Sequence, residues 1–350
     1  SVVPRPRGPR AARAAVGTTL DEALAADEPL SPFAAQIERE VIDRFGEAET
    51  ARVRQSWRLM DLEYVHFDQM VPGDAYMKQE ARSYVPGLPA VPFWDVTATD
   101  WARRLEADWE IVRDEFSRVA IKNAARTARE GNNVWVAAAD GDSAQKYGQD
   151  WRTLVLMDRT TWDPTNCALF PRTAALLADA DVPCVEAFFA AMKPRSKINP
   201  HTDSCNFILT SHLGLKIPPG CSITVGDETK AWTPGGVLLF DTSIYHDAVN
   251  DSDDTRYILM LRVWHPELTS VEVQALQFLF DVLDVPDLIS DDPVKVFRAE
   301  HELAGLRTRP EARAKLAPSS NSDDAPPAPA VGKVKKKRTA KKGSGFGVPT

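Results

Sequence analysis

Two hydrophobic periods divide the chain. From about residue 31 to 180 the apolar positions recur mainly at helical spacing. Ser31-Pro32 opens the first such stretch, with the serine as cap and the proline in the first turn. Ala35, Ile37, Val41, Ile42 and Phe45 follow on one stripe. The run "DWARRLEADWEIVRDEFSRVA" predicts a long helix capped by Thr99, with Trp101, Leu105, Trp109, Val112 and Phe116 along one face and an end before Gly131. A tryptophan stripe of this kind reads as core. Between these helices lies "VPGLPAVPFWDV" (85–96), a proline-punctuated extended segment. From about 184 the period becomes two. "VEAFFAAM", "NFILTSHLGLKIP", "CSITVGD", "KAWTP", "GVLLFD", "IYHDAVN" and "RYILMLRVWH" are short apolar runs separated by Gly, Pro, Asn and Asp. Many short strands with turn signals and no helix between them imply a sandwich or jelly roll. Helical spacing returns over 270–284, in Val271, Ala275, Leu276, Leu279, Phe280 and Leu283.

The two ends read differently from this body. The first 20 residues hold Arg5, Arg7, Arg10 and Arg13 and no acid, the composition of a transit peptide or of a disordered basic arm over 1–30. The chain as given reads as soluble; its compartment stays open, an organelle or an endomembrane lumen being the alternative that removal of such a signal would bring. Residues 317–350 are Pro/Ser/Ala-rich, then Lys-rich in "KVKKKRTAKK", then Gly-rich, and read as a disordered tail. The net charge of -8 includes the seven basic residues of Lys333–Lys342, so the body is more acidic still. That argues against a nucleic-acid groove in the core. No apolar run reaches the ~20 residues of a membrane span. The four cysteines show no CxxC spacing, which disfavours a zinc ribbon. Asn250-Asp251-Ser252 matches a glycosylation acceptor, a pattern common by chance.

Candidate chemistry lies in the β region. Four of the six histidines (His201, His212, His246 and His265) fall within 201–265, while His66 and His301 read as surface residues. His201-x-Asp203 offers an imidazole and a carboxylate two residues apart, and His246 follows in another predicted strand. Two histidines and one carboxylate on one face leave three positions open, the facial triad of non-haem Fe(II) oxygenases. Taken alone, the HxD is turn chemistry and His246 a core histidine; jointly they read as a metal site. The run "YHDAVNDSDDTRYILML" reads as a hairpin about Asp251, which puts Arg256 directly across from His246 on the same face. A buried guanidinium there needs a carboxylate partner. His212 reads as core or as a second anion contact, and His265 as a loop residue.

These residues resemble the aspartyl/asparaginyl β-hydroxylase family. "INPHTDSCNFILTSHLGLKIPPGC", "AWTPGGVLLFDTSIYHDAVNDSDDTRYILMLRVWHPEL" and the upstream "PGLPAVPFWD…LEADWEIVRDEF" carry the resemblance, over about 85–270. It implies an α+β fold: a double-stranded β-helix (jelly roll) core over 184–268, a helical part over 31–180 and a helical flank over 269–316. It implies Fe(II), 2-oxoglutarate and O2, with ascorbate as reductant. His201, Asp203 and His246 would hold the iron. Arg256 would grip the distal carboxylate of 2-oxoglutarate, with His212 and Thr210 as further co-substrate contacts. The expected reaction is hydroxylation of an unactivated C–H, the β-carbon of Asp or Asn in a peptide or protein. The same chemistry on an acyl lipid or free amino acid is one alternative, and a catalytically silent binding module is another.

The departures from the family bear on the substrate. Asp203 stands where the animal protein hydroxylases have a glycine. Thr210 replaces an arginine, Ala190 a serine that helps hold 2-oxoglutarate, and Phe188 a lysine on the peptide side. Ala174 faces Cys167 at a position where those relatives pair two cysteines. The resemblance therefore reaches the reaction type and stops short of recognition of a folded EGF-like domain. Because both histidines must be neutral to bind metal, activity is expected to fall below about pH 6, from the unperturbed histidine value of ~6.5.

Overall fold

The period-two runs become strands, and these strands alternate between two of the three sheets of the fold. The computed structural model describes residues 19–25, 28–97, 99–137 and 147–307. The Lys-rich tail and most of the basic arm lie outside these. The strands are β1 (His66–Asp68), β2 (Gln79–Ser83), β3 (Phe93–Trp94), β4 (Val136–Ala137), β5 (Trp151–Asp158), β6 (Thr161–Trp162), β7 (Cys184–Met192), β8 (Ser196–His201), β9 (Ser204–Cys205), β10 (Ile208–Lys216), β11 (Cys221–Val225), β12 (Glu228–Ala231), β13 (Val237–Phe240), β14 (His246–Asn250) and β15 (Arg256–Trp264). The major sheet runs β3-β13-β10-β15-β7-β5-β4, with β6 on β5, and the minor sheet runs β12-β11-β14-β8. In chain order β7, β10, β13 and β15 belong to the major sheet, and β8, β11 and β14, which fall between them, to the minor one. That winding is a jelly roll, and with the helices around it the fold is α+β.

This winding corrects the expected hairpin. β14 pairs with β11 and β8, whereas β15 pairs with β10 and β7. His246 lies opposite His201, and Arg256 lies opposite Met192. The turn residues 251–255 carry the chain from one sheet to the other, a crossing that strand periodicity cannot distinguish from a two-strand reversal. Asn250, fully buried, fastens the crossing. Its amide nitrogen donates to the carbonyls of Met192, Lys193 and Asp254 at 2.9–3.0 Å. Its Oδ1 accepts from Ser252 N and Oγ. The amide is spent inside the fold, so Asn250 is no glycosylation acceptor in the folded chain. Asn250→Ala leaves three carbonyls short of a donor and should destabilise the protein by about 2–4 kcal/mol in denaturant melts.

Three apolar layers surround the strands. The barrel interior gathers Phe93, Ala190, Met192, Ile223, Trp232, Phe240, Ala248 and Ile258, with Phe188 and Trp151 against them. Helices coat the outer face of the major sheet, and Leu105, Val112 and Phe116 pack there with Phe189, Leu209 and Leu259, as the stripe predicted. The long helix is broken, however. It forms Asp100–Ala107 and Trp109–Phe116, then a π-turn over Ser117–Lys122, and Thr99 makes no side-chain cap. The break lets two side chains seat on the β13 end of the sheet. Glu106 accepts from Val237 N at 2.8 Å. The Trp109 ring lies against Gly235, where an added Cβ would sit 2.8 Å from it and φ is +79°. Only glycine satisfies both conditions.

A third layer joins the two ends of the chain. The helix Pro32–Phe45, capped by Ser31 as expected, packs against the helix Ser270–Asp284. Thr269 and Glu272 form a capping box, and Glu272 also binds Arg52 at 2.7 Å. Within the stretch read as a basic arm, Leu20–Ala25 is helical and Ala23 is buried against the layer holding Leu59 and Tyr84. The region read as helical, 31–180, also contributes strands, of which β5 joins the major sheet beside β7. The run "TLVLM" in β5 is apolar without alternation because both of its faces are covered, and periodicity does not separate such a strand from a buried helix. None of the four cysteines forms a disulfide.

Candidate metal centre

β8 and β14 are neighbours, and their paired ends bring two imidazoles together. The ring centroids of His201 and His246 are 4.3 Å apart. Each ring turns its Nδ1 to the carbonyl two residues earlier: His201 to Asn199 O at 2.7 Å and His246 to Ile244 O at 3.0 Å. A carbonyl can only accept, so Nδ1 carries the proton in both rings and Nε2 keeps its lone pair. Just past β8, Asp203 is held by its backbone N–H on Thr242 O at 2.8 Å. Its Oδ1 lies 3.6 Å from His201 Nε2. One ligand atom from each of His201, Asp203 and His246 falls within 4.8 Å of the others. His201 Nε2 is buried with no hydrogen-bond partner, the mark of an atom awaiting a cation.

The electrostatics suit a cation. Burial alone would raise the Asp203 carboxyl, but the Arg262 guanidinium and the two histidines hold it well below the usual range. Burial, reinforced by His201, pushes His246 down to about 3. His246 therefore stays neutral across the interval in which the unperturbed value placed its protonation, and the acid loss expected below pH 6 is not set by this ring.

Deeper in the barrel a second set of donors surrounds Trp232. Arg256 is 1% exposed, with its guanidinium carbon 4.6 Å from the centre of the Trp232 ring. Burial lowers it to about 10, so it remains charged at neutral pH. Its Nε and Nη1 have no partner. The Trp232 N–H donates to His212 Nδ1 at 3.1 Å. His212 Nε2 then carries the proton and is also without a partner. Burial and the neighbouring Arg256 hold His212 well below the usual imidazole range, so it is a neutral donor. A buried cation and a buried N–H donor, both unanswered, fit a carboxylate-bearing ligand.

The sequence reading missed several contributors. Arg262 reaches Asp203 from β15, and its Nη1 also meets Thr210 Oγ1 at 2.9 Å and Thr242 Oγ1 at 3.1 Å. Thr210 thus sits with Arg262, at the Asp203 end. The Tyr147 hydroxyl donates to Asp203 Oδ1 at 2.6 Å. The Tyr147 ring stands edge-on to His201 and stacks on Trp151, which meets Phe188. The alternation of β15 did carry a signal for Arg262, since it places residues 256, 258, 260 and 262 on one face. His265 is the loop residue expected, facing Pro89 O and Trp94. His66 is half-buried and stacked on Tyr84 at 3.7 Å, not a free surface residue, whereas His301 is exposed.

Asp241 lies nearby, fully buried. Its Oδ1 accepts from Ser243, and its Oδ2 has no partner. Burial pushes this carboxyl up to about 7. The folded chain therefore holds a proton there that the unfolded chain gives up near the ordinary value, and stability falls as pH rises toward and through 7. Asp241→Asn should raise the melting temperature at pH 8 by a few degrees, with a smaller gain at pH 5.

The fold and the site together define a jelly roll whose two histidines and one aspartate are placed to hold a metal ion. Residues 106–266 match the family described as Aspartyl/Asparaginyl beta-hydroxylase, and this part of the chain is a domain of that family. The chain is 32% identical over 206 residues to the aspartyl/asparaginyl beta-hydroxylases of Mus musculus and Homo sapiens, covering 57% of this chain and 26% of each of those proteins. It is 35% identical over 207 residues to the human aspartate beta-hydroxylase domain-containing protein 2, covering 56% of this chain and 53% of that one. It thus spans a quarter to about half of these relatives' length. No helix among the described residues is long and apolar enough to cross a membrane.

Proposed function

We propose that this chain is an iron(II)- and 2-oxoglutarate-dependent hydroxylase acting on the β-carbon of an Asp or Asn side chain in a peptide or protein. The observation that carries this reading is the pattern of unanswered buried atoms. His201 Nε2 stands beside Asp203 and His246, and the Arg256 and His212 donors share one barrel with them. The first set suits a divalent metal with open positions and the second a dicarboxylate. The relatives are named hydroxylases, which supports the reaction class.

When bound at His201, Asp203 and His246, ferrous iron with 2-oxoglutarate and O2 supplies the oxidising chemistry that converts C–H to C–OH, with ascorbate keeping the iron ferrous. The Nδ1–H bonds to Asn199 and Ile244 orient the two imidazoles, so no ring must turn to offer its lone pair. Arg256 neutralises a co-substrate carboxylate, and Trp232 fixes the guanidinium plane. Ile258, Phe240 and Met192 exclude water around that pair and strengthen it. The aromatic run Tyr147–Trp151–Phe188 lines the approach to His201 and would face the substrate.

Purified protein supplied with Fe(II), 2-oxoglutarate and ascorbate should release succinate slowly without substrate and faster with the right one. A product heavier by one oxygen, about 16 Da, identifies that substrate. Candidate peptides, acyl lipids and free amino acids are screened together, and a gain confined to the last two would transfer the reaction to a non-protein substrate. No succinate and no iron uptake would leave a silent jelly roll.

A further inference from the structure

Metal binding needs a carboxylate that is ionised, correctly turned and unable to swing. Asp203 follows the end of β8, where a free side chain would have several rotamers. Its backbone is fixed on Thr242 O. Its carboxylate is divided: Oδ1 faces His201 Nε2 at 3.6 Å and accepts from the Tyr147 hydroxyl at 2.6 Å, and Oδ2 is held by Arg262 Nη1. That same Nη1 meets the hydroxyls of Thr210 and Thr242. The guanidinium is 4% exposed and sits on the central strand of the major sheet, facing a loop that leaves the minor one. It is one polar tie between the two sheets at this end of the barrel, beside the backbone bond from Asp203 to Thr242.

We propose that Arg262 is a positioning residue for the metal centre: by holding Oδ2, it presents Asp203 to the metal through Oδ1 alone. This rests on the assignment of His201, Asp203 and His246 as the ligand set. Two opposed effects follow from a guanidinium next to a ligand. Its charge repels a cation, while its bond removes the rotational freedom of the carboxylate. Removing partners that orient metal ligands typically costs about 10–100-fold in metal affinity or activity. Orientation therefore outweighs repulsion here.

The strand register supplies a stringent test. Thr210 on β10 lies directly opposite Arg262 on β15. Opposed side chains project from the same face within a few ångströms, so an arginine at 210 reaches the same carboxylate. Metal-free full-length protein is titrated with Co(II), a probe that does not need turnover, and its visible absorption is followed. Arg262→Gln should weaken Co(II) binding by about 10–100-fold, while the double variant Thr210→Arg with Arg262→Thr should recover it to within about threefold. A folded Arg262→Gln protein that binds Co(II) as tightly as the parent, or more tightly, overturns the proposal. So does a folded double variant that fails to recover. If Arg262→Gln does not fold, Arg262→Lys, which keeps the charge and loses the fork, is read in its place: weakening of about tenfold supports the proposal, and parent-like binding overturns it. His246→Ala separates this inference from the one beneath it. If that variant keeps parent-like binding, the ligand set is wrong; if it loses binding while every Arg262 variant behaves as the parent, only the positioning role falls.

Discussion

Asp203→Ala is expected to strip the protein of iron and to weaken its fold at the same time. The first effect follows from loss of one of three ligands and should exceed the ~10–100-fold that attends loss of an orienting partner. The second follows from Arg262. Its guanidinium is buried, and Asp203 is its carboxylate partner. Removing one member of such a pair costs about 3–5 kcal/mol, because the other is left as an uncompensated charge. A melting temperature lower by roughly 6–20 °C would report this at about 2–4 °C per kcal/mol. Metal content by elemental analysis reports the first effect. His246→Ala should also lose iron, without leaving a buried charge behind. If Asp203→Ala retains iron as the parent does, the carboxylate is no ligand and the site reduces to two imidazoles.

Arg256→Met should behave in the opposite way. Arg256 touches Trp232 and Met192, yet two of its nitrogens are unanswered. In the protein without co-substrate this is a buried charge lacking a carboxylate, a burden of several kcal/mol. The cation–π contact with Trp232 returns at most about 2 kcal/mol. Methionine keeps much of the volume and removes the charge, so the co-substrate-free variant should melt higher than the parent. Co-substrate binding should suffer instead. Losing the guanidinium side of a desolvated pair costs about 2–5 kcal/mol, which corresponds to a 2-oxoglutarate requirement raised about 30-fold or more. Iron content should not change. Succinate release measured against 2-oxoglutarate concentration checks the first point, and a thermal melt checks the second. A variant with an unchanged 2-oxoglutarate requirement would remove Arg256 from the co-substrate site.

The sequence made some of this legible for physical reasons that can be named. His201 and Asp203 are two residues apart in the chain, so their convergence needs only a local bend. His246 stood out because it fell in a strand of the same β-rich region, and the structure places it opposite His201. Arg256 was correctly read as buried, but by a faulty construction. Strand alternation reports which face a residue takes and says nothing of which sheet its strand joins, so the crossing at 251–255 passed for a hairpin. Arg262 and Tyr147 were missed because their partner is distant in sequence and each alone resembles an ordinary strand or loop residue. β5 was missed because a strand covered on both sides loses its alternation. The π-turn and the break at Asp108 had no signal at all, since no proline or glycine marks them; the break accompanies the seating of Glu106 and Trp109 on the sheet.

The division of labour between the sheets has a consequence for how the centre loads. Both imidazoles hang from one small sheet and are neighbours within it, whereas the guanidinium of Arg256, proposed here as the co-substrate anchor, hangs from the other. A transient parting of the two layers would leave the imidazole pair whole while pulling the anchor away. On the proposed reading, that parting would also draw Arg262, on the same strand, away from Asp203, so the anchor of the organic acid and the brace of the third ligand would loosen together while the imidazole pair stays whole.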